Sequence, residues 1–244
     1  MKSTYLILGG SSSIGLKAIE SIYSTHKTAK VIAQYNTNKE QLTSLKETYP
    51  TLQLCQADLS DTDSLNSFIS QLIEANTIPS RILQLAAPKY QFIRFKKFTW
   101  DDFSKNIDIQ VKSTALILQA FLPYMTKEKF GRIVLMLSSA TMGVPPLATS
   151  PYTTSKYALL GLLKSVASEY ASKGICINGI SPSMVETPFL NDIPEKLIEI
   201  AAHSHPLKRN ATVSDIAPYI THLLSEEAQF MTGANIPVTG GELF

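Results

Sequence analysis

Residues 4–22, TYLILGGSSSIGLKAIESI, combine a strand, a turn of small residues and the start of a helix. The apolar run Thr4–Leu8 predicts a buried strand, and from residue 18 onward apolar side chains recur at helical spacing. The intervening turn, residues 9–15, contains only small residues apart from one isoleucine, so a ligand can approach its backbone closely. Such a turn presents free N–H groups and the positive end of a helix dipole to an anion. We therefore predict a phosphate site here.

The same rhythm of short apolar runs and longer amphipathic segments continues along the whole chain. We predict strands at residues 4–8, 30–35, 52–55, 81–85, 132–137, 175–180 and 235–237. Helices are expected at about 14–25, 39–48, 61–75, 100–124, 151–172, 193–203 and 213–225. Regular alternation of this kind indicates an α/β fold, a doubly wound parallel sheet with helices on both faces. Residues 1–244 are expected to form a single domain.

Composition excludes several other classes of protein. The 244 residues are 44% hydrophobic and 17% charged with a net charge of +2, which argues against disorder and against nucleic acid as a partner. The two cysteines, Cys55 and Cys176, lie far apart in apolar runs and suggest free thiols in the cytoplasm. Residues 133–155 carry no charge, but their serines, threonines and prolines argue against a membrane span. The apolar run after the N-terminus is too short for a signal peptide.

The segment after the second predicted strand bears on cofactor choice. Residues 34–39, QYNTNK, contain no acidic side chain beside Asn36. A carboxylate here would hold the ribose 2′-hydroxyl of NAD, so its absence favours NADP(H). The segment also lacks an arginine to hold a 2′-phosphate, which keeps NAD(H) open as the alternative. Asp58, after the third strand, is placed to accept a hydrogen bond from adenine. Alternatively it caps the next helix, as Ser60 or Asp61 could.

Tyr152 and Lys156 are one helical turn apart, which places a phenol and an ammonium on the same face. A nearby cation favours the phenolate, so a tyrosine with an ordinary pKa of about 10 could exchange a proton nearer neutrality. Two other pairs have this spacing: Tyr23/Lys27 and Tyr35/Lys39.

The surroundings of Tyr152 separate it from the other two tyrosines. Its helix follows a strand that ends in serines, and Ser139 lies thirteen residues upstream. Ser150 is placed to cap this helix, with Pro151 as its first residue. A second hydroxyl beside the phenol is what polarising a carbonyl oxygen requires. We therefore expect Tyr152, rather than Tyr23 or Tyr35, to be the tyrosine that exchanges a proton with the substrate.

Together these motifs resemble the short-chain dehydrogenase/reductase family over essentially the full chain, in particular its 3-oxoacyl-carrier-protein reductase-like branch. The resemblance rests on residues 9–15, Asp58-Leu59, Ser139, Tyr152 with Lys156, residues 177–187 (INGISPSMVET), 232–233 and 240–241. It implies a Rossmann-like fold and an NAD(P)-dependent oxidoreductase that moves hydride between nicotinamide and a carbonyl or secondary alcohol.

The resemblance also assigns roles to individual residues. Tyr152 is the general acid/base, Lys156 lowers its pKa and binds the nicotinamide ribose, and Ser139 holds the substrate oxygen. Cofactor contacts are expected at Gly9, Ser11, Ser13, Ile14, Gly15, Asn36, Asp58, Leu59, Ala86, Tyr152, Lys156, Val185 and Thr187, and no metal is expected. A substrate lid is expected at about residues 188–212.

The chain departs from the family pattern at three places. Ser13 replaces the second glycine of the turn. Residues 84–88, QLAAP, replace Asn-Asn-Ala-Gly, so we expect a hydrogen-bonded brace between strands to be lost. The asparagine of the fourth helix, which completes the catalytic tetrad, corresponds to Gln110 in the preferred register and to Asn106 in the other.

Several weaker features concern partners. Residues 89–100 hold five aromatic and four basic side chains. A contact with a neighbouring subunit in a homodimer or homotetramer is the preferred interpretation, an acidic acyl carrier protein the next, and nucleic acid the least favoured. The C-terminal Leu243-Phe244 suggests a buried end. His203 and His205 lack a third ligand and are expected to be incidental surface residues.

The expected substrate is a small carbonyl compound, either a 3-oxoacyl thioester, possibly bound to a carrier protein, or a similar small ketone. A sugar or cyclic ketone is the enzymatic alternative. The competing class is a nucleotide-binding protein with weak or no turnover, because the strand-four and helix-four positions are altered.

Overall fold

The protein is built on a seven-stranded parallel sheet with strand order β3-β2-β1-β4-β5-β6-β7. The computed structural model describes residues 3–243. The strands are β1 (Thr4–Leu8), β2 (Lys30–Tyr35), β3 (Gln53–Gln56), β4 (Arg81–Gln84), β5 (Gly131–Met136), β6 (Ile175–Pro182) and β7 (Asn235–Val238). The order reverses between β1 and β4, the point at which doubly wound sheets bind ligands.

Within residues 3–243, eight α-helices connect or follow these strands. They are α1 (Ser13–Thr25), α2 (Glu40–Thr48), α3 (Thr62–Glu74), α4 (Trp100–Asn106), α5 (Ser113–Glu128), α6 (Ser150–Tyr170), α7 (Glu195–Ser204) and α8 (Val213–Leu224). A π-helical turn, Ile107–Lys112, joins α4 to α5. Among the described residues, no helix is long and apolar enough to cross a lipid bilayer.

The hydrophobic core forms two layers, one on each face of the sheet. Leu6 and Leu8 of β1 belong to the cluster that includes side chains of α3, α5 and α6. Tyr5 and Ile7, the alternate residues, belong to the cluster that includes side chains of α1 and α8. Neighbouring side chains of a strand point to opposite faces of the sheet, and both faces are covered by helices. The strands are therefore buried on both faces, which explains their continuous apolar runs. The predicted doubly wound, Rossmann-like α/β fold is confirmed.

Two local predictions were wrong. The helix expected at 100–124 is interrupted by the π-helical turn, and its last part continues to Glu128. The α6 helix begins at Ser150, so Ser150 is its first residue rather than its cap. Thr149 takes the capping position without a side-chain cap, and its hydroxyl donates to the carbonyl of Pro146 at 2.7 Å.

The two histidines of the lid region have different surroundings, contrary to the expectation that both lie on the surface. His203 is exposed, whereas His205 is buried. His205 donates from Nε2 to the carbonyl of Thr239 at 2.7 Å and accepts at Nδ1 from the N–H of Leu207. Protein groups therefore occupy both of its ring nitrogens. Leu243 is half-buried, and the Phe244 part of the predicted buried C-terminus lies outside the described residues.

Candidate active site

A cavity of about 450 Å³ opens at the carboxyl ends of the strands, where the strand order reverses. One end is formed by the turn that begins α1, and the other by the start of α6 and the segment after β6. Of the predicted site residues, those that line it are Ser11, Ser13, Ile14, Ser139, Tyr152, Lys156, Val185 and Thr187. The structure therefore brings the turn predicted to bind phosphate and the predicted catalytic residues Ser139, Tyr152 and Lys156 into one cavity.

The turn before α1 is shaped by its glycines. Gly9 has φ = +76°, a conformation that favours glycine, and a Cβ there would lie 2.8 Å from the backbone nitrogen of Ala86. A Cβ at Gly15 would lie 2.6 Å from the carbonyl oxygen of Gly10. Ser12 caps α1 by accepting a hydrogen bond from the N–H of Gly15 at 3.1 Å. Gly9 and Gly15 thus set the path of the turn, while Ser11 and Ser13 line the cavity.

Two buried glutamines that the sequence analysis did not single out brace this region. Gln34 of β2 accepts from the N–H of Gly9 at 2.9 Å and donates to the carbonyl of Ala57 at 2.7 Å. The amide thereby ties the phosphate turn to the end of β3. The sequence places this glutamine at the end of a buried strand. Because a buried amide needs hydrogen-bond partners, that position could have predicted a bracing role for Gln34.

Gln84 of β4 is the second brace, and it joins β4 to the fourth-helix region rather than to a neighbouring strand. Its Nε2 donates to Thr114 Oγ1 at 2.8 Å and to the carbonyl of Gln110 at 3.5 Å. Its Oε1 accepts from the N–H of Ala86 at 2.7 Å. The Gln84 amide therefore ties the end of β4 to the fourth-helix region.

Tyr152 and Lys156 both lie in the first two turns of α6 and face the cavity. The Lys156 ammonium lies 5.4 Å from the centroid of the Tyr152 ring and donates to the carbonyl of Met136 at 2.7 Å. Burial lowers the pKa of Lys156 to about 7, because the charged form loses its hydration. Burial also raises the pKa of Tyr152, partly offset by a hydrogen bond with Ser138. In the protein without cofactor, burial thus raises the pKa of Tyr152, although Lys156 was predicted to lower it.

Two serines, not one, are placed near the Tyr152 phenol. Ser138 and Ser139 both line the cavity where β5 passes into a short 3₁₀ turn, Ser139–Thr141. Ser138 accepts at Oγ from the N–H of Ala140 at 3.2 Å and also hydrogen-bonds with Tyr152. Ser139 stays the predicted carbonyl-orienting residue, and Ser138 becomes a second candidate for that role.

Gln110 and Asn106, the two registers left open by the sequence, occupy one hydrogen-bonded network. Gln110 lies in the π-helical turn and is fully buried. Its Nε2 donates to Ser155 Oγ at 2.8 Å and to Asn106 Oδ1 at 3.1 Å. Its Oε1 is buried with no hydrogen-bond partner in the described part of the chain. Gln110, rather than Asn106, is thus the residue whose side chain contacts α6. The π-helical turn that carries Gln110 was not predicted by the periodicity of the sequence.

The remaining predicted cofactor residues lie outside the lining of this cavity. Asn36 is exposed at the end of β2. Asp58 accepts at Oδ1 from the backbone N–H and hydroxyl of Ser60, which lower the pKa of its carboxyl. Asp61, not Asp58, caps α3. The Leu59 side chain packs in the core, so only its backbone is open to a ligand. Ala86 follows β4 beside Gly9.

Aromatic side chains that the sequence analysis did not assign to the site surround the Tyr152 ring. Tyr90 contacts it edge-on, with ring centroids 4.8 Å apart and planes at 72°. Phe189 lies 6.4 Å from Tyr152 and 5.6 Å from Tyr90. In the sequence, Tyr90 belongs to an aromatic-rich segment and Phe189 to the predicted lid. Neither pattern predicts which side chains point into the cavity and which point to solvent. Within residues 3–243, no three His, Cys, Asp or Glu side chains gather in a way that could hold a metal ion.

Comparisons with known proteins agree with this geometry. Residues 9–242 match the family model described as enoyl-(acyl carrier protein) reductase. The chain is 30% identical to oxidoreductase UcpA of Salmonella typhimurium, over 98% of this chain and 93% of that protein. The chain therefore belongs to the short-chain dehydrogenase/reductase family of oxidoreductases.

Two solved structures extend the comparison. A 3-oxoacyl (acyl-carrier-protein) reductase from Agrobacterium tumefaciens C58 with NADP bound has a TM-score of 0.88 and 25% identity, covering 98% of this chain and 93% of that one. A 4-hydroxyisoleucine dehydrogenase complexed with NADH has a TM-score of 0.89 and 26% identity, covering 98% of both chains. A nicotinamide dinucleotide is the cofactor class that these similarities support, and they do not choose between its two forms.

Proposed function

We propose that this protein is an NADP(H)-dependent reductase of small ketones with apolar substituents, with a 3-oxoacyl thioester as the favoured substrate. The observation that carries the proposal is the meeting of a phenol, an ammonium and serine hydroxyls at one end of a cavity whose other end is the α1 turn. In this geometry a carbonyl oxygen beside Tyr152 could receive a hydrogen bond and a proton from the chain.

The residues of the cavity fit a dinucleotide. The α1 turn offers N–H groups of its first helical turn to a pyrophosphate, and Gly9 keeps the turn open where a side chain would meet Ala86. Lys156, Val185 and Thr187 would hold the nicotinamide end. Asn36 and Asp58 would face the adenosine end, and residues 36–39, without a carboxylate, favour the 2′-phosphate of NADP(H).

Bound nicotinamide would supply the hydride, and the chain's own residues would handle the proton. Tyr152 donates its phenolic proton to the substrate oxygen, while Ser139 or Ser138 donates a hydrogen bond to the same atom. Lys156, with a pKa near 7, can carry a proton at neutral pH and recharge the tyrosine. Gln110 acts one step further away, holding Ser155 and hence the start of α6.

The cavity wall supports an apolar substrate over a sugar. Among the described residues that line the cavity, Lys156 is the only charged one. Apart from Lys156 and a few serine and threonine hydroxyls, the end of the cavity that holds Tyr152 is formed by aromatic, aliphatic and proline side chains, which include Met136, Pro146, Met184 and Leu190. A sugar would need several polar partners for its hydroxyls, and a free carboxylate would need a cation besides Lys156. The relatives named as 3-oxoacyl reductases act on a substrate of the favoured class.

The exposed aromatic and basic residues of segment 89–100 suggest which partners this protein would contact. Phe95 is 74% exposed and Trp100 is 71% exposed, next to the exposed bases Arg94, Lys96 and Lys97. Contact with a neighbouring subunit in a cytoplasmic homodimer or homotetramer is the favoured role of this surface, and docking of an acidic carrier protein is the second. Lys96→Glu with Lys97→Glu should slow reduction of a carrier-bound ketone but leave a soluble one unchanged if the carrier docks here.

The proposal is tested by titrating the protein with NADPH and with NADH, and then offering a panel of ketones with the tighter cofactor. We expect tighter binding of NADPH and turnover of 3-oxoacyl thioesters. NADPH binding without oxidation against any ketone would favour the competing class, a nucleotide-binding protein without turnover.

A further inference from the structure

Tyr90 occupies a position in the cavity that no sequence motif assigned. It lies six residues beyond the end of β4, in the loop that leads to the exposed basic and aromatic residues. Unlike those residues, it turns inward and lines the cavity. Its ring packs edge-on against both Tyr152 and Phe189. The three rings therefore form one continuous aromatic wall beside the Tyr152 phenol.

The loop that carries Tyr90 is fastened to the loop that precedes α6. The N–H of Ile93 donates to the carbonyl of Ala148 at 2.8 Å. Ala148 has φ = +61°, an uncommon conformation for a residue with a Cβ, and such strain persists only where the surroundings hold it. Thr149, the next residue, lies close enough to the Tyr90 phenol to lower its pKa in part. The loop is thus held by a backbone hydrogen bond, and the ring by its contacts with Tyr152 and Phe189.

We infer that Tyr90 and Phe189 form an aromatic clamp that positions the substrate against Tyr152 and limits the size of the group next to its carbonyl. The inference rests on the proposed ketone reductase function and names which residues set its specificity. Phe189 lies in the 3₁₀ turn Pro188–Leu190 at the start of the predicted lid, so the clamp joins the lid to the loop after β4. Because these rings pack against one another and cannot easily move aside, we expect an unbranched acyl group to fit beside them and a branched one to collide with a ring.

Tyr90 acts as a positioning residue rather than as a second proton donor. The neighbouring cation, Lys156, lies beside the Tyr152 ring, 5.4 Å from its centroid. Burial and the adjacent Tyr152 raise the pKa of Tyr90 strongly, which keeps the phenol protonated and makes it a poor acid. The ring, not the hydroxyl, is therefore the part that the substrate meets.

The test compares Tyr90→Ala, Tyr90→Phe and Phe189→Ala with wild type on two soluble 3-oxoacyl thioesters, one with an unbranched and one with a branched acyl group. Tyr90→Ala should raise KM for the unbranched thioester roughly tenfold, with a smaller change in kcat, and improve kcat/KM for the branched one relative to it. Phe189→Ala should shift this preference in the same direction. Tyr90→Phe should keep the wild-type preference.

Phe230→Ala, a change of a fully exposed aromatic residue, is the matched control and should leave both substrates unaffected. An unchanged KM and size preference in Tyr90→Ala would overturn the clamp while leaving the ketone reductase function standing. Loss of turnover in Tyr90→Phe equal to that in Tyr90→Ala would also overturn it, because the hydroxyl would then be the working group. A wild-type protein inactive on both thioesters would instead count against the proposed function.

Discussion

Replacing Gln84 with leucine should destabilise the protein because it removes the brace at the end of β4. Gln84 is 1% exposed, and its amide serves the N–H of Ala86 and the hydroxyl of Thr114. Each buried polar group left without a partner costs about 1–3 kcal/mol. Thr114 keeps its bond to the carbonyl of Gln110, so we expect a total loss of about 2–3 kcal/mol. For a chain of this length that loss lowers Tm by roughly 4–12 °C.

Thermal denaturation followed by circular dichroism, without added cofactor, measures this loss. Gln91→Leu is the matched control, because Gln91 is exposed in the following loop and should change Tm by at most about 2 °C. Gln84→Leu should also weaken NADPH binding, since Ala86 packs against Gly9 of the phosphate turn. A Tm for Gln84→Leu equal to that of Gln91→Leu would refute the reasoning that this amide is a structural brace.

Two further predictions concern glycines and pH. Gly161→Ala should raise stability by about 0.5–1 kcal/mol, because Gly161 lies inside α6 with nothing near its Cβ position. Gly9→Ala should lower both stability and cofactor affinity, and equal urea midpoints for the two variants would contradict this contrast. Because the pKa of Lys156 falls from 10.5 to about 7 on folding, the unfolded chain binds the extra proton between these values. Unfolding free energy should therefore rise from pH 7 to pH 9, and Lys156→Met should flatten that rise; an identical pH dependence in both proteins would argue against it.

The parallel sheet with helices on both faces could be predicted because burial on both faces leaves continuous apolar runs such as Thr4–Leu8. The pairing of Tyr152 with Lys156 was equally accessible, since helical spacing fixes which side chains share a face. The break after Asn106 was not, because a π turn has the same residue types as the helix around it.

The remaining features depend on contacts between distant parts of the chain. The loop that carries Tyr90 is held by the hydrogen bond from the N–H of Ile93 to the carbonyl of Ala148, 55 residues apart in sequence. Likewise, the brace at Gln84 involves Thr114, whose distance along the chain hides the pairing. Motifs therefore predicted which residues form the candidate site, whereas its walls and its supporting hydrogen bonds required the folded structure.

The central claim is that Tyr152 supplies the proton when a ketone is reduced with NADPH. It is tested most directly by comparing NADPH oxidation by wild type and Tyr152→Phe with a 3-oxoacyl thioester, beside a titration of NADPH binding to both. We predict that the variant binds NADPH within about threefold of wild type and loses roughly 10²–10⁴-fold in kcat. Retention of wild-type kcat by Tyr152→Phe would contradict the claim.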